Sequence, residues 1–177
     1  MPLTKLNSAS VIERLPVGSV LQTKTARVTA SEDWTAINVM IGPTATITLS
    51  STSNKILILV QAVFSYSSTS VTGSIGLRYA TGTSVANTDT LVGGGDSAGS
   101  RSRAIGWSGQ VSASWQGTNI GYNTIHDPQT TSQISYRLCA MSDDSSGTSF
   151  LGRTGRDNDN SHHPRMDTNI TLMEIKG

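Results

Sequence analysis

The longest apolar run of the chain, residues 56–60, lies near the start of a segment that extends over residues 54–66 and begins with the polar pair Asn54-Lys55. From residue 56 to residue 66 the even positions are all apolar or aromatic, whereas the odd positions from 57 onward begin with two leucines and then become mixed. Because successive strand residues point to opposite faces, this pattern predicts a strand whose first half is buried on both faces. A helix would place Gln61 and Ser65 on the same stripe as Leu57 and leave no clean polar face. We therefore predict a central β-strand over residues 54–66.

Three further segments, residues 44–49, 74–79 and 133–141, alternate between apolar and polar positions, which is typical of half-exposed strands. The strands on either side of the polar link 50–55 are predicted to form a hairpin, although a link of six residues also allows a crossing between two sheets. Residues 80–121 are poor in large apolar side chains and are predicted to form long loops with one or two short strands. Shorter candidate strands fall at residues 19–25, 37–41, 90–92, 102–107, 148–151 and 169–176.

About eight to ten short strands separated by turn residues predict an all-β fold, an antiparallel β-sandwich. A jelly-roll-like arrangement is the preferred architecture, and a different antiparallel sandwich is the alternative. Residues 1–17 differ from the rest, because they carry a loose helix-like stripe of aliphatic residues that Pro16 ends. We predict a short N-terminal attachment arm over residues 1–17, with a disordered tail as the alternative, and a sandwich domain over residues 18–177.

Composition supports the all-β prediction and excludes several functions. Charged residues make up only 14% of the chain, and Ser and Thr outnumber them roughly two to one. The net charge of +1 gives no electrostatic basis for a nucleic-acid partner. No apolar run is long enough for membrane insertion. The single cysteine, Cys139, excludes an intrachain disulfide and is expected to be a packing residue.

Metal binding and catalysis find little support in the motifs. Residues 157–163 loosely resemble a calcium loop, but His162 stands where such loops have glycine and Thr168 stands where they have glutamate. Adjacent histidines on an extended chain point in opposite directions, so His162 and His163 do not easily reach one ion. No Gly-x-Ser-x-Gly motif is present, and nothing singles out a nucleophile. We predict no metal, no cofactor and no enzymatic activity; a polysaccharide hydrolase would need residues that converge from distant loops.

Glycan binding is the chemistry that the long loops favour. Exposed aromatic rings stack on sugar faces, while Asp, Asn and Arg bind hydroxyl groups. The alternative is that the tryptophans fill the core beneath the loops. The candidate glycan-binding residues are Trp107, Trp115, Tyr122, Arg153, Arg156, Asp157 and Asn158.

Four segments together resemble the small β-rich tail-fibre and appendage proteins of tailed bacteriophages. These are LPVGSVLQ at 15–22, STSNKILILV at 51–60, ITLMEIKG at 170–177, and the acidic-proline loop and strand entry at 127–136. The resemblance implies a virion structural protein, a homotrimer of β-sandwiches attached to other virion proteins through residues 1–17. It implies a tip that binds a host surface polysaccharide, or alternatively a decoration or adaptor protein that contacts only other virion proteins.

Leu57 and Leu59 give the oligomer prediction a specific location. They lie on the second face of the predicted central strand, and a single sandwich does not obviously cover that face. We therefore predict that Leu57 and Leu59 lie at a subunit contact or beneath a loop that folds back over the sheet.

Overall fold

The structure is a computed structural model that describes residues 14–67, 72–108, 116–141 and 147–177. Its secondary structure consists of β-strands joined by turns and loops, which confirms the predicted all-β class. The strands within the described residues are β1 (Val20–Val28), β2 (Glu32–Trp34), β3 (Val39–Thr48), β4 (Lys55–Tyr66), β5 (Gly73–Thr81), β6 (Thr90–Leu91), β7 (Gly106–Ser108), β8 (Gly117–His126), β9 (Gln133–Met141), β10 (Ser149–Leu151) and β11 (Thr168–Ile175).

The strands form two antiparallel sheets. In sheet I, β11 and β10 pair with one edge of β4 and β8 pairs with the other, while β1 and β2 lie outside β11 and β10. In sheet II, the order is β3-β9-β5, and β6 and β7 share the far edge of β5. Successive long strands alternate between the two sheets. The strands β1, β11, β4 and β8 of sheet I therefore face the strands β3, β9 and β5 of sheet II, with β6 and β7 beside β5. This is a jelly roll, and the predicted architecture is confirmed.

The core lies between the inner faces of the two sheets. The even-numbered residues of β4 all point into it, and Ile56, Ile58 and Phe64 have no exposed surface. Trp34 of β2 stacks on Phe64 with 5.6 Å between ring centroids. Burying such apolar and aromatic side chains is the main favourable contribution to folding. The prediction of a central strand at residues 54–66 is therefore confirmed, with β4 in the middle of sheet I.

Two expectations about the strands are corrected. The segments 37–41 and 44–49 belong to one strand, β3, whose register with β9 shifts between Ile41 and Ala45, where Gly42 has a φ of 68°. This bulge accommodates Pro43 at a sheet edge, so the proline does not end the strand. The link after β3 crosses to the other sheet and does not form a hairpin.

The larger correction concerns β8, which lies in and beyond a region predicted to be loop. Its ten residues pair continuously with β4. Gly117 and Gly121 weaken the strand signal, and Ile120 is its one fully buried aliphatic residue. The alternation of Ile120 and Tyr122 with Asn119 and Asn123 is the signal that indicates a strand here.

The sandwich has two distinct ends. At one end, which we call the terminal end, Gly18 donates its N–H to the carbonyl of Lys176, and Gly177 donates to Oδ1 of Asn54. At the opposite end, which we call the loop end, Ser149 pairs with Tyr66 and with Trp34. Residues 14–17 of the predicted arm lie at the terminal end, while residues 1–13 lie outside the described residues.

Candidate functional site

The loop that follows β10, residues 152–167, is closed at its base by backbone contacts at the loop end. Gly152 donates its N–H to the carbonyl of Val63 at 2.9 Å, and Met166 donates to the carbonyl of Gly152 at 2.8 Å. Arg153 and Arg165 form an isolated antiparallel bridge. We call this segment the 152–167 loop. Because both of its ends are tied to one point on sheet I, the side chains between them are presented from a fixed base.

A two-pronged ion pair organises the loop. Nη2 of Arg165 donates to both carboxylate oxygens of Asp157, at 2.7 and 2.9 Å, and Nε donates at 3.2 Å. The hydrogen bonds from Arg165, together with the positive charges of Arg165 and Arg153, hold the pKa of Asp157 below its ordinary value. Arg–carboxylate forks are geometrically specific, so Asp157 and Arg165 fix each other across the loop.

Arg153 has a packing role as well as a charge. Its guanidinium carbon lies 3.7 Å from the centroid of the Phe150 ring, and Nη1 lies 4.0 Å from Asp157. The side chain is only 14% exposed. A planar guanidinium stacked on an aromatic ring covers apolar surface while its rim stays available for hydrogen bonds. Arg153 therefore covers Phe150 on the outer face of β10 and also lies beside the Asp157–Arg165 ion pair.

The loop encloses a shallow polar cavity of about 340 Å³. His163 is one of the lining residues, and its buried Nδ1 has no hydrogen-bond partner among the described residues. Burying a polar nitrogen without a hydrogen-bond partner costs free energy, because the nitrogen loses its hydrogen bonds to water and gains none from the protein. A ligand that supplies a hydrogen bond removes this cost. We call this feature the polar cavity. Its lining residues are Asp157, Asn158, Asp159, Asn160, His163 and Arg165.

Backbone turns set the shape of the polar cavity. Asn160 donates its N–H to the carbonyl of Asn158 at 2.8 Å, and His163 donates its N–H to the carbonyl of Asn160 at 3.0 Å. Oδ1 of Asn160 accepts the N–H of His162 at 3.0 Å. The side chains of Asn158 and His162 are exposed around this turn. The resulting wall combines carboxylate, amide, imidazole and guanidinium groups, which bind hydroxyl groups and weakly charged polar ligands.

The predicted glycan-binding residues are divided between two places. Arg153, Asp157 and Asn158 come together in the 152–167 loop, joined by Arg165 and His163. Arg156 is exposed in the same loop, and its carbonyl accepts a hydrogen bond from Oγ1 of Thr154 at 2.6 Å. The role of Arg165 was not predicted, because its partnership with Asp157 depends on the chain folding back. The presence of both arginine and aspartate residues in the same loop is the sequence signal for such a pair, and it does not show which residues pair.

The predicted aromatic residues do not join this cluster. Trp107 is 65% exposed and lies on the outer face of sheet II, opposite Ser74. Tyr122 lies in β8 and not in a loop; its ring packs against the core, and its hydroxyl accepts the N–H of Gly94 at 3.0 Å. The correction for Tyr122 has a simple physical reason, since its neighbour in the sheet, Val60, faces inward. Trp115 lies outside the described residues.

The outer face of sheet I carries the two leucines predicted at a contact. Leu57 aligns with Met173 on one side and Ile125 on the other, while Leu59 aligns with Thr171 and Asn123. Both leucines are half-buried, and Ile125 is 63% exposed. A groove of about 580 Å³ lies above this sheet, lined by Leu59 together with Met166 and Asp167 of the 152–167 loop. The loop thus covers part of the face, and the predicted subunit contact remains a prediction.

Comparisons with known proteins find no family and only weak structural similarity. No protein-family model matches the sequence, and no curated protein matches it. Among solved structures, the chain is similar to "Structure of infectious bursal disease virus Gx strain", at 13% identity and a TM-score of 0.40 over 89% of this chain. It is also similar to "Crystal structure of infectious bursal disease virus VP2 subviral particle", at 12% identity and a TM-score of 0.36 over 90% of this chain.

These similarities are too weak to support an argument about function. This chain spans only 37% and 39% of the length of the two matched chains. The jelly-roll assignment therefore rests on the strand pairing of this chain. Across the residues that the structure describes, no helix is long and apolar enough to cross a membrane. In the same residues, no three His, Cys, Asp or Glu side chains are grouped as a metal site.

Proposed function

We propose that this protein is a virion structural protein, an appendage tip of a tailed bacteriophage that binds a host surface glycan through the polar cavity. Three considerations support the proposal: the resemblance of residues 15–22, 51–60 and 170–177 to phage appendage proteins, the jelly-roll fold, and the separation of the two ends. Jelly rolls serve both in virus particles and in lectins. An arm at the terminal end leaves the loop end pointing away from its attachment.

The observation that carries the glycan proposal is the convergence of carboxylate, amide, guanidinium and imidazole side chains on the polar cavity, where the buried Nδ1 of His163 has no hydrogen-bond partner among the described residues. Sugars present closely spaced hydroxyl groups that both donate and accept hydrogen bonds. Asp157 and Asn158 supply acceptors, Arg165 supplies donors, and the imidazole supplies either, according to its tautomer. The Asp157–Arg165 fork holds these groups in place before a ligand arrives, which reduces the entropy lost on binding.

The experiment is an array of bacterial surface polysaccharides probed with the purified full-length chain. Binding of one class of polysaccharide, weakened at least about tenfold by His163→Ala or Asn158→Ala, supports the proposal, since each change removes a hydrogen bond to the ligand. Thr23→Ala, an exposed change on the outer face of sheet I, is the matched control and leaves binding unchanged. Binding that His163→Ala and Asn158→Ala do not affect argues against the polar cavity.

Trp107 is tested in the same experiment. The loss of binding in Trp107→Ala alone would place the ligand on the outer face of sheet II, where an exposed indole is suited to stacking on a sugar ring. The two faces are far enough apart in the fold that one small ligand does not explain losses from both. The array therefore separates the two predicted locations.

The second candidate is a decoration or adaptor protein that contacts only other virion proteins. The observation that favours it is the row Met173–Leu57–Ile125 on the outer face of sheet I, an apolar surface suited to a protein partner. No binding to any polysaccharide, together with labelled protein located on phage particles, would favour this candidate. The homotrimer remains a proposal from the resemblance, and a mass measurement in solution tests it. In either candidate the proposed role is binding without catalysis.

A further inference from the structure

Edge strands are the places where a β-sandwich can add another strand, and proteins normally protect them with charge, proline, bulges or short length. Most edges of this sandwich carry such protection. The edge strand β1 contains Lys24 and Arg27, and its register shifts near Val20. The edge strand β3 contains Pro43 and the bulge beside it. The edge strands β2, β6 and β7 are only two or three residues long.

The edge strand β8 has none of these protections. It pairs with β4 over ten consecutive residues without a register shift, and within the described residues it has no strand on its other edge. It contains no proline and, from Gly117 to Ile125, no charged side chain. Gly117 and Gly121 present only backbone and are exposed. A regular, uncharged edge of this length is therefore a template for strand addition.

The sequence of β8 selects the partner. Residues 118–124 read Thr-Asn-Ile-Gly-Tyr-Asn-Thr, a near-palindrome centred on Gly121. Two antiparallel copies aligned on Gly121 place threonine opposite threonine, asparagine opposite asparagine, and Ile120 opposite Tyr122. Threonine opposite threonine, and a β-branched residue opposite an aromatic one, are cross-strand pairs that stabilise antiparallel sheets. We infer that β8 is a two-fold contact at which a second copy of this chain pairs its own β8.

The same register explains two features of the outer face. It places Ile125 of one copy opposite Gly117 of the other. Ile125 is 63% exposed in the single chain, and Gly117 leaves the space beside it without a side chain. An isoleucine packed over a glycine of the neighbouring strand removes apolar surface from water at both ends of the contact. The paired sheets then continue as β4-β8-β8-β4 through the two-fold axis.

This contact is isologous, so it forms dimers and closes on itself. It is independent of the polar cavity, which lies in the 152–167 loop on the outer face of sheet I. It is also distinct from three-fold association, because a trimer that used this contact as well would pair with a second trimer. The expected mass is twice the 18.6 kDa of one chain, or six times that mass if both contacts operate.

The experiment measures mass in solution for a matched pair of double variants. Asn119 and Asn123 are exposed on the outer face, and the inferred register places Asn119 of one copy opposite Asn123 of the other. Asn119→Lys with Asn123→Lys places lysine opposite lysine twice, so we expect the mass to fall by half. Asn119→Lys with Asn123→Glu places lysine opposite glutamate twice, so we expect the mass of the unchanged chain. Like charges directly opposite one another destabilise a ladder, and opposite charges support it.

A cross-link provides a second test that needs no change in mass. A Cβ at Gly121 would meet no atom within 4 Å, so Gly121→Cys is accommodated. In the paired state the two cysteines face each other at the spacing of a directly opposed pair, which suits a disulfide. Oxidation should link two chains, whereas Thr25→Cys, exposed on β1, should not. Because the native Cys139 is buried, it gives no background.

The outcomes are decisive in both directions. The β8 contact is supported if the unchanged chain has the mass of an even number of chains, if Asn119→Lys with Asn123→Lys halves that mass, and if Asn119→Lys with Asn123→Glu keeps it. A disulfide-linked dimer of Gly121→Cys supports the contact as well. A monomer at every concentration, or a mass that both double variants leave unchanged without a cross-link, overturns it. Polysaccharide binding by the double variants remains intact in either case, so this test and that of the proposed function fail separately.

Discussion

Nδ2 of Asn54 donates a hydrogen bond of 2.6 Å to Oε1 of Glu174, joining the turn before β4 to the last strand of the chain. Oε1 also accepts from the N–H and the hydroxyl of Ser50, each at 2.7 Å, and Oε2 accepts from Nε2 of Gln22 at 2.6 Å. Glu174 is only 1% exposed. This buried carboxylate is held by neutral donors that close the terminal end of the sandwich.

Glu174→Gln is expected to destabilise the fold by about 2–3 kcal/mol. The amide nitrogen that replaces one carboxylate oxygen faces donors and leaves at least one hydrogen bond unmade. Urea unfolding of the variant measures the loss. Asp33→Asn is the matched control, because Asp33 is exposed on the short strand β2, and its change should stay within about 0.5 kcal/mol. Equal stability of both variants would contradict a structural role for the Glu174 network.

Stability is expected to fall as the solution becomes acidic, in two windows. Burial raises the pKa of Glu174, but hydrogen bonds from Gln22, Asn54 and Ser50 together bring it below its ordinary value of 4.5. Burial lowers the pKa of His126 below its ordinary value of 6.5, against the raising effect of Asp127. Both groups bind fewer protons when folded than when unfolded. The protein therefore loses stability below about pH 6.5, and loses more below about pH 4.5.

Replacing His126 tests whether this residue causes the loss of stability that begins at about pH 6.5. Nδ1 of His126 lies 2.7 Å from the hydroxyl of Tyr136, and its ring lies 4.3 Å from that of Tyr79. His126→Gln removes the titrating group, so the unfolding midpoint should become flat between pH 6.5 and pH 5. A slope that persists unchanged in His126→Gln would show that another group controls this window.

The aromatic stack at the loop end should be a major contributor to stability. Trp34 and Phe64 stack with their ring planes 6° apart, and Tyr66 contacts the edge of Phe64 at 4.8 Å between centroids. Phe64→Ala is expected to cost about 3–5 kcal/mol, from lost burial and the cavity left behind. Val63→Ala, a smaller change at the adjacent position, should cost clearly less. Thermal unfolding measures the loss of stability in both variants. A larger loss in Val63→Ala than in Phe64→Ala would contradict the role of the aromatic stack in the core.

The base of the 152–167 loop depends on a glycine. Gly152 has a φ of 76°, and a Cβ there would meet the carbonyl oxygen of Met166 at 2.7 Å. Gly152→Ala is therefore expected to destabilise the protein by about 1–3 kcal/mol and to weaken polysaccharide binding. Gly95→Ala is the control, since a Cβ at Gly95 meets nothing within 4 Å. Unchanged binding in Gly152→Ala would argue that the base of the loop does not position the polar cavity.

Much of the fold follows from the hydrophobic pattern of the chain. Residues 54–66, 74–79 and 133–141 carry alternation strong enough to fix both their strands and their inward faces. β8 was missed because its large residues are few, and its pairing is imposed by β4 across sheet I. The predicted hairpin after β3 is wrong, because a six-residue polar link also permits a crossing to the other sheet and nothing in the sequence of the link distinguishes the two.

The candidate site was predicted in part for a similar reason. Arg153, Asp157 and Asn158 lie within six consecutive residues, so their clustering follows from local chain geometry. The roles of Arg165 and His163 require residues 157 and 165 to face each other across the loop, which no local pattern specifies. Tyr122 was assigned to a loop because the strand that turns it inward was not recognised.

Glycan binding by the polar cavity is tested by following the ¹⁵N resonance of Nδ1 of His163 while the polysaccharide fragment selected on the array is titrated into the protein. His126, which is half-buried against Tyr79 and Tyr136, is the internal reference. The proposal predicts that the His163 resonance moves in step with the bound fraction while that of His126 stays in place, because the ligand supplies the missing hydrogen bond. Saturation of binding with no change at His163 would contradict the proposal that the polar cavity binds the glycan.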